Sequence, residues 1–149
     1  MPANKARFAT PQAAYRSGLE ERLALQIRTK GQPVHFEKLK LPYVRPASNH
    51  TYTPDFILRN GIVVESKGLL TTEDKQKMKL VKGQHPKLDI RFVFQNAQAR
   101  ISKVSKTTYA RWAESQGFPW AHKEIPDEWL TEKANRESLE ALAALGFGS

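Results

Sequence analysis

Asp55 follows Thr53-Pro54, and Glu65 and Lys67 stand two apart in the run Ile62-Val63-Val64-Glu65-Ser66-Lys67. Residues i and i+2 of a strand point to one face, so Glu65 and Lys67 project together. Charges on an otherwise apolar run are costly unless they serve a purpose or reach solvent. Between the two stretches lies Arg59-Asn60-Gly61, a strong hairpin signal. Register decides whether the acids meet. A two-residue Asn60-Gly61 loop pairs Phe56 with Glu65 and sends Asp55 to the opposite face. A three-residue loop with Gly61 in the left-handed region pairs Asp55 with Glu65. In the second arrangement two carboxylates converge and repel, and a hard divalent cation such as Mg²⁺ relieves the repulsion. A lysine beside it can hold the attacking water and stabilise transition-state charge. In outline this is a site for phosphodiester hydrolysis. Plainer readings exist for each residue: Asp55 as a turn residue after Pro54, and Lys67 as a charge guarding a sheet edge. A further carboxylate, Glu20, has the spacing of a capping box with Ser17, so spacing alone divides it evenly between a helix cap and chemistry.

The elements that must position these groups follow from periodicity and caps. Ser17 opens a helix with Leu19, Leu23 and Ile27 on one face, ended by Lys30-Gly31. Residues 34–44 read as extended chain, with Val34/Phe36 and Leu39/Leu41/Tyr43 alternating in two short runs. Pro42 and Pro46 stiffen the far end and exclude a central strand position there. Two β runs, Thr53–Leu58 and Ile62–Lys67, flank the turn. Thr72 is expected to cap a second helix reaching about Gln84, which carries Lys75, Lys77, Lys79 and Lys82. Leu88–Gln95 is the most apolar strand candidate, Thr108 begins a short helix ended by Gly117, and a terminal amphipathic helix carries Leu139, Leu142 and Leu145. Helices alternate with strands, so the class is α/β or α+β on one mixed sheet.

The 149 residues suit one domain with a real core, and 40% hydrophobic with 26% charged residues is ordinary globular composition. Cysteine is absent, which removes disulfides, thiolate-bound zinc and thiol catalysis. No apolar run approaches the roughly 20 residues that span a bilayer. No secretory h-region opens the sequence. The expectation is a soluble, intracellular, cytoplasmic protein with no membrane partner. The net charge of +9 is uneven: +3 over residues 1–19, +2 over 20–65, +8 over 66–111 and −4 over 112–149. Such polarity points to an anionic partner, nucleic acid first, because neutralised phosphates release counterions. Arg100, Lys103 and Lys106, among Ser102, Ser105, Thr107 and Thr108, form a basic, hydroxyl-rich loop suited to phosphate oxygens. His35, His50, His85 and His122 lack ligand spacing and read as structural, with a phosphate contact open to His50. Trp112, Trp120 and Trp129 read as packing residues.

The runs Leu41-Pro42-Tyr43-Val44, Pro46-Ala47-Ser48-Asn49-His50-Thr51-Tyr52-Thr53-Pro54-Asp55-Phe56, Asn60-Gly61-Ile62, Val64-Glu65 and Lys67-Gly68 resemble phage endonuclease I of the T-seven type. Arg16-Ser17-Gly18-Leu19-Glu20, His85-Pro86, Leu88-Asp89-Ile90-Arg91, Ile125-Pro126 and Glu128-Trp129 extend the resemblance over roughly residues 16–130. The family groups Holliday-junction-resolving enzymes. The resemblance implies a restriction-endonuclease-like mixed sheet flanked by helices, and Mg²⁺-dependent cleavage of branched DNA (Mn²⁺ as a substitute). It also implies an intertwined, domain-swapped homodimer. The family's four active-site positions match Glu20, Asp55, Glu65 and Lys67. Asp55, Glu65 and Glu20 would hold metal, and Arg16, His50, Arg100, Lys103 and Lys106 would contact DNA. Ser66 stands where the family often has Thr. The C-terminus is acidic and apolar where a basic tail is expected, which puts a DNA role for it in doubt. The division implied is a flexible basic arm over 1–16, a nuclease domain over 17–130 with a bridge at 41–48, and a tail over 131–149. A stiff, extended bridge would resist folding back and hand the Glu20 helix to a second chain. Two other functions fit the composition: a sequence-specific nuclease of the restriction type, and a non-catalytic basic nucleic-acid-binding protein. The last leaves Asp55, Glu65 and Lys67 unexplained.

Overall fold

The computed structural model describes residues 15–45 and 48–148. The arm expected over residues 1–16 lies outside them apart from Tyr15 and Arg16. In chain order the elements are α1 (Gly18–Thr29), β1 (Leu41–Arg45), β2 (Ser48–Tyr52), β3 (Phe56–Ile57), β4 (Ile62–Lys67), α2 (Thr72–Gln84), β5 (Asp89–Phe94), α3 (Tyr109–Ser115), β6 (Trp120–His122), α4 (Asp127–Thr131) and α5 (Arg136–Ala144). The protein is mixed α/β. Four strands run in the order β3-β4-β5-β6, and β1 and β2 form a separate two-stranded ribbon. β3 is antiparallel to β4, whereas β4, β5 and β6 are mutually parallel, joined through α2 and α3. Parallel strands covered on both faces read as continuous apolar runs, which is why Ile90-Arg91-Phe92-Val93-Phe94 shows so little alternation.

Period-2 alternation still sorts the side chains between the two faces. Ile57, Val63, Ile90, Phe92 and Phe94 pack with Met78 and Val81 of α2, with α3 and with Leu41, Tyr43 and Tyr52 of the ribbon. Phe56, Leu58, Ile62, Val64 and Val93 pack with Leu19, Leu23 and Ile27 of α1 and with Trp129 and Leu130 of α4.

Two expectations are corrected and a third is made more specific. The run Thr53–Leu58 forms only the two-residue strand Phe56–Ile57, because Pro54 lacks an amide proton to extend the ladder. The cap of α2 is Thr71 rather than Thr72. Its hydroxyl accepts from the Asp74 amide while the Asp74 carboxylate accepts from the Thr71 amide, a reciprocal box that Thr72, three residues before Lys75, could not close. The bridge is extended over its described residues, as expected, and is also paired. Leu41–Arg45 pairs antiparallel with Ser48–Tyr52 of the same chain, from Leu41↔Tyr52 to Arg45↔Ser48. Pro42 sits on this ribbon, away from the central sheet, and so costs no ladder bond there. The ribbon is braced by α2: Gln84 donates to the Val44 carbonyl and accepts from the Val44 amide, and His85 donates to the Pro42 carbonyl.

The acidic C-terminal segment packs onto the β3–β4 turn. Ser138 is buried, donates to the Gly61 carbonyl at 2.6 Å and accepts from the Asp89 amide at 3.1 Å. The Asn135 amide donates to the Asn60 carbonyl at 2.8 Å, and Leu142 enters the core. Gly61 lies between them at φ +96°, where a Cβ would meet Asn135 O and Leu139 Cγ at 3.1 Å. Gly61→Ala therefore combines a left-handed backbone with a clash, and is expected to cost roughly 1–3 kcal/mol. A thermal midpoint within a degree of the parent chain would contradict this placement.

Candidate active site

The turn takes the three-residue form. Phe56 pairs with Val64 and Ile57 with Val63, Leu58 N donates to Ile62 O at 2.8 Å, and Gly61 is left-handed. One step beyond the last pair, this register sets Asp55 opposite Glu65. Glu65 follows Val63 onto the face covered by the ribbon and α2, whereas α1, which carries Glu20, covers the other face. Asp55, immediately before β3, lies between the two groups.

On one side, single carboxylate oxygens of Asp55, Glu20 and Glu37 lie within 4.8 Å of one another. Glu37 is absent from the sequence-based set. It is brought in by a left-handed backbone (φ +52°), with its amide donating to the Asp55 carbonyl at 3.1 Å. The signal was the slip between the Val34/Phe36 and Leu39/Leu41/Tyr43 alternations, which breaks the extended run at Glu37. Glu20 does not close a reciprocal capping box. Its amide donates to Ser17 Oγ at 3.1 Å, but its own carboxylate accepts from the Arg16 amide at 2.8 Å and faces the trio. The Arg16 guanidinium is ion-paired with Glu37, and that hydrogen bond holds it above its usual pKa.

On the other side, Tyr52 of β2 donates its hydroxyl to Glu65 Oε1, and the Lys67 ammonium lies 3.7 Å from Glu65 Oε2. The nearer partner of that ammonium is Asp74 Oδ1, at 3.1 Å. Asp55 Oδ2 accepts from the Ser66 amide at 2.9 Å and from the Ser66 hydroxyl at 2.8 Å, so Ser66 orients this carboxylate.

Asp55, Glu65 and Glu20 are only 5%, 5% and 8% exposed. Burial pushes the Asp55 carboxyl up to about 6 against the two Ser66 bonds. Burial, with the charge of Asp55 added, pushes Glu65 up to about 8. Desolvation opposes charge on Lys67, but Glu65 and Asp74 outweigh it and hold the ammonium above its ordinary value. Asp55 and Glu65 are therefore under-compensated oxygen donors, which suits a hard divalent cation: binding supplies the missing positive charge.

The pH dependence follows from these shifts. The fold keeps both carboxyls protonated to higher pH than the unfolded chain, whose values are near 3.8 and 4.5. Their contribution to stability is full below about pH 4 and is lost as pH rises through about 6 and then 8. The cation-free chain is expected to lose thermal stability between about pH 5 and 8, Asp55→Asn to lose less, and Mg²⁺ to stabilise more at the higher pH. Calorimetric scans check this. Parallel pH profiles for wild type and Asp55→Asn would contradict it.

The other predicted contacts lie apart from the carboxylates' own hydrogen bonds. His50 is exposed on the ribbon, 2.6 Å from Ser48 Oγ. Arg100, Lys103 and Lys106 belong to a loop held by Ile101 N to Thr107 O and by the Ser102 and Ser105 hydroxyls. That loop leaves the end of β5, where Gln95 N donates to Lys67 O at 2.9 Å, so it starts beside the cluster. Trp112 and Trp129 are buried and Trp120 half-buried, as packing requires.

Acids on a strand, at the head of a second strand and on a helix, with a lysine at the carboxyl end of a parallel strand, suit metal-assisted phosphodiester hydrolysis. The family model "Phage endonuclease I" matches residues 1–146. The chain is 46% identical over 133 residues to "Endonuclease I" of Escherichia phage T7, covering 89% of each chain. It is also 46% identical over 113 residues to "Endodeoxyribonuclease 1" of Enterobacteria phage T3, covering 76% of this chain and 74% of that one. The chain belongs to the phage endonuclease I family.

Proposed function

We propose that the chain is a Mg²⁺-dependent endonuclease that cuts phosphodiester bonds in branched DNA and resolves four-way (Holliday) junctions. The observation that carries this is the register that, one step beyond the Phe56–Val64 pair, sets Asp55 opposite Glu65, with Lys67 beside Glu65 and the carboxylates of Glu20 and Glu37 gathered at Asp55. The relatives' names, an endonuclease and an endodeoxyribonuclease, support DNA as the substrate. In this reading Asp55, Glu65 and Glu20 hold Mg²⁺, for which Mn²⁺ can substitute. When bound there, such a cation would supply polarisation of the scissile phosphate and a lowered pKa for a coordinated water. The remaining work belongs to the chain's own residues. Ser66 and Tyr52 fix the carboxylates they touch, and Lys67 holds the attacking water and stabilises charge building on phosphate oxygens. Arg16, His50, Arg100, Lys103 and Lys106 contact phosphates, Arg16 by exchanging Glu37 for a phosphate oxygen. Ligands of open α/β sheets bind outside the carboxyl ends of the strands, the end where Lys67 and the basic loop lie.

The fold is taken as restriction-endonuclease-like and the working form as an intertwined homodimer in the host-cell cytoplasm. Among the described residues no helix is long and apolar enough to cross a membrane. The intertwined form rests on the family resemblance, since the ribbon closes within one chain here. β1 and β2 stand between α1 and the other site residues, and the contacts that close within one chain can form between two chains once the ribbon opens. Two sites related by a two-fold axis would then make paired cuts in a two-fold-symmetric junction.

The test is cleavage of a synthetic four-way junction beside a linear duplex of the same arm sequences, with Mg²⁺ and with chelator. Junction cleavage with Mg²⁺ alone is expected. Cutting of the duplex at one sequence would favour the restriction-type reading, and binding without cutting would favour a non-catalytic protein.

A further inference from the structure

We propose that Asp74 is a positioning residue for cleavage, its carboxylate fixing the Lys67 ammonium within the cluster; this rests on the nuclease reading above. Lys67 has two carboxylate neighbours, and Asp74 at 3.1 Å is nearer than Glu65 at 3.7 Å. Glu65 already accepts the Tyr52 hydroxyl and, in that reading, serves a cation, which competes with Lys67 for its oxygens. Asp74 has no such second demand. Its two oxygens are divided: Oδ2 accepts from the Thr71 amide at 3.0 Å, and Oδ1 meets Lys67. The capping box thus sets the plane of the carboxylate and leaves one oxygen aimed at the lysine. The helix behind it is anchored by buried Met78 and Val81 and by the two Gln84 bonds to the ribbon. A flexible four-carbon side chain, only 17% exposed, is thereby referenced to a fixed helix rather than to the reacting acids.

Asp74→Asn separates the two duties of this carboxylate. The amide oxygen still accepts from Thr71, but the NH₂ group cannot accept from an ammonium. In the full chain with Mg²⁺ and a synthetic four-way junction, single-turnover cleavage is expected to fall about 10²-fold, the effect of misplacing a catalytic group by about 1 Å. Junction affinity measured in Ca²⁺ is expected to stay within about twofold, since phosphate contacts elsewhere supply it. Asp74→Glu, which suits the same capping position and keeps a carboxylate, is expected to restore part of the rate. Thr71→Ala is expected to lower thermal stability with little loss of rate. Adding Asp74→Asn to Lys67→Ala is expected to cost nothing further, because the two residues act as a unit. Without DNA, Lys67 of Asp74→Asn is expected to react faster with an amine-acylating reagent, read by peptide mass spectrometry. A wild-type rate in Asp74→Asn, an equal further loss in the Lys67→Ala background, or unchanged Lys67 reactivity would each overturn the assignment. A wild-type chain that leaves the junction intact would instead overturn the nuclease reading, and the acylation result would still judge the tether.

Discussion

Asp55→Asn, Glu65→Gln and Lys67→Ala are each expected to slow single-turnover junction cleavage by about 10³-fold or more, while junction binding persists. The two amide substitutions preserve shape and each remove one ionisable carboxyl from the cluster proposed to hold the cation. Asp55 keeps its place through Ser66 and Glu65 through Tyr52, so the variants retain most local contacts. Both neutral side chains also relieve the burial that pushes the carboxyls up to about 6 and about 8. They are therefore expected to match or exceed the parent chain in thermal stability at about pH 8 without Mg²⁺. Lost activity with gained stability is the signature of residues held against their own preference for function. Rate measurements, gel shifts in Ca²⁺ and thermal scans on one set of preparations check all three quantities. Equal loss of binding and cleavage would mean these residues are structural.

The second large effect concerns which chain supplies Glu20. Heterodimers of a Glu20→Ala chain and a Lys67→Ala chain, made by co-expression with two tags, are expected to nick one strand of the junction. If α1 is exchanged, one site carries both substitutions and its mate is wild type. If each site belongs to one chain, as the closed ribbon of a single chain permits, both sites are damaged and no nicking survives. Gel separation of nicked from doubly cut junctions reads the outcome directly. A dead heterodimer, with both parents shown to be folded, would rule out the shared site.

Much of this arrangement was legible in the residues because local rules decide it. Arg59-Asn60-Gly61 marked the turn but left two registers open, and the structure takes the three-residue one, which pairs Phe56 with Val64. Ser17 marked the start of α1, and the apolar run of β5 marked the centre of the parallel strands. What escaped was set by distant parts of the chain. Glu37 joins Glu20 and Asp55 only because its backbone turns left-handed against Asp55 O, although the slip in the apolar alternation was visible. Pairing of β1 with β2 depends on packing against Gln84 and His85, some forty residues on, so Pro42 alone was a poor guide to its path. Asp74 is masked in the sequence because two adjacent threonines, Thr71 and Thr72, both offer a cap. Read from Thr71, the same sequence places a carboxylate at the third helical position, beside Lys67. The tail was recognisable as an amphipathic helix, but its hold on the turn through Ser138 and Asn135 is a tertiary fact.

The central claim is that the buried acids around Asp55 form a cation site that drives cleavage of branched DNA. Its most direct measurement is a Mg²⁺ titration of single-turnover cleavage on a four-way junction at about pH 8, with wild type and Asp55→Asn bound to the DNA to equal saturation. The account predicts a saturable rise in the wild-type rate from a chelator background near zero, and a rate for Asp55→Asn about 10³-fold lower at every Mg²⁺ concentration. Cleavage that proceeds in chelator, or an Asp55→Asn chain that follows the wild-type titration curve, would contradict it.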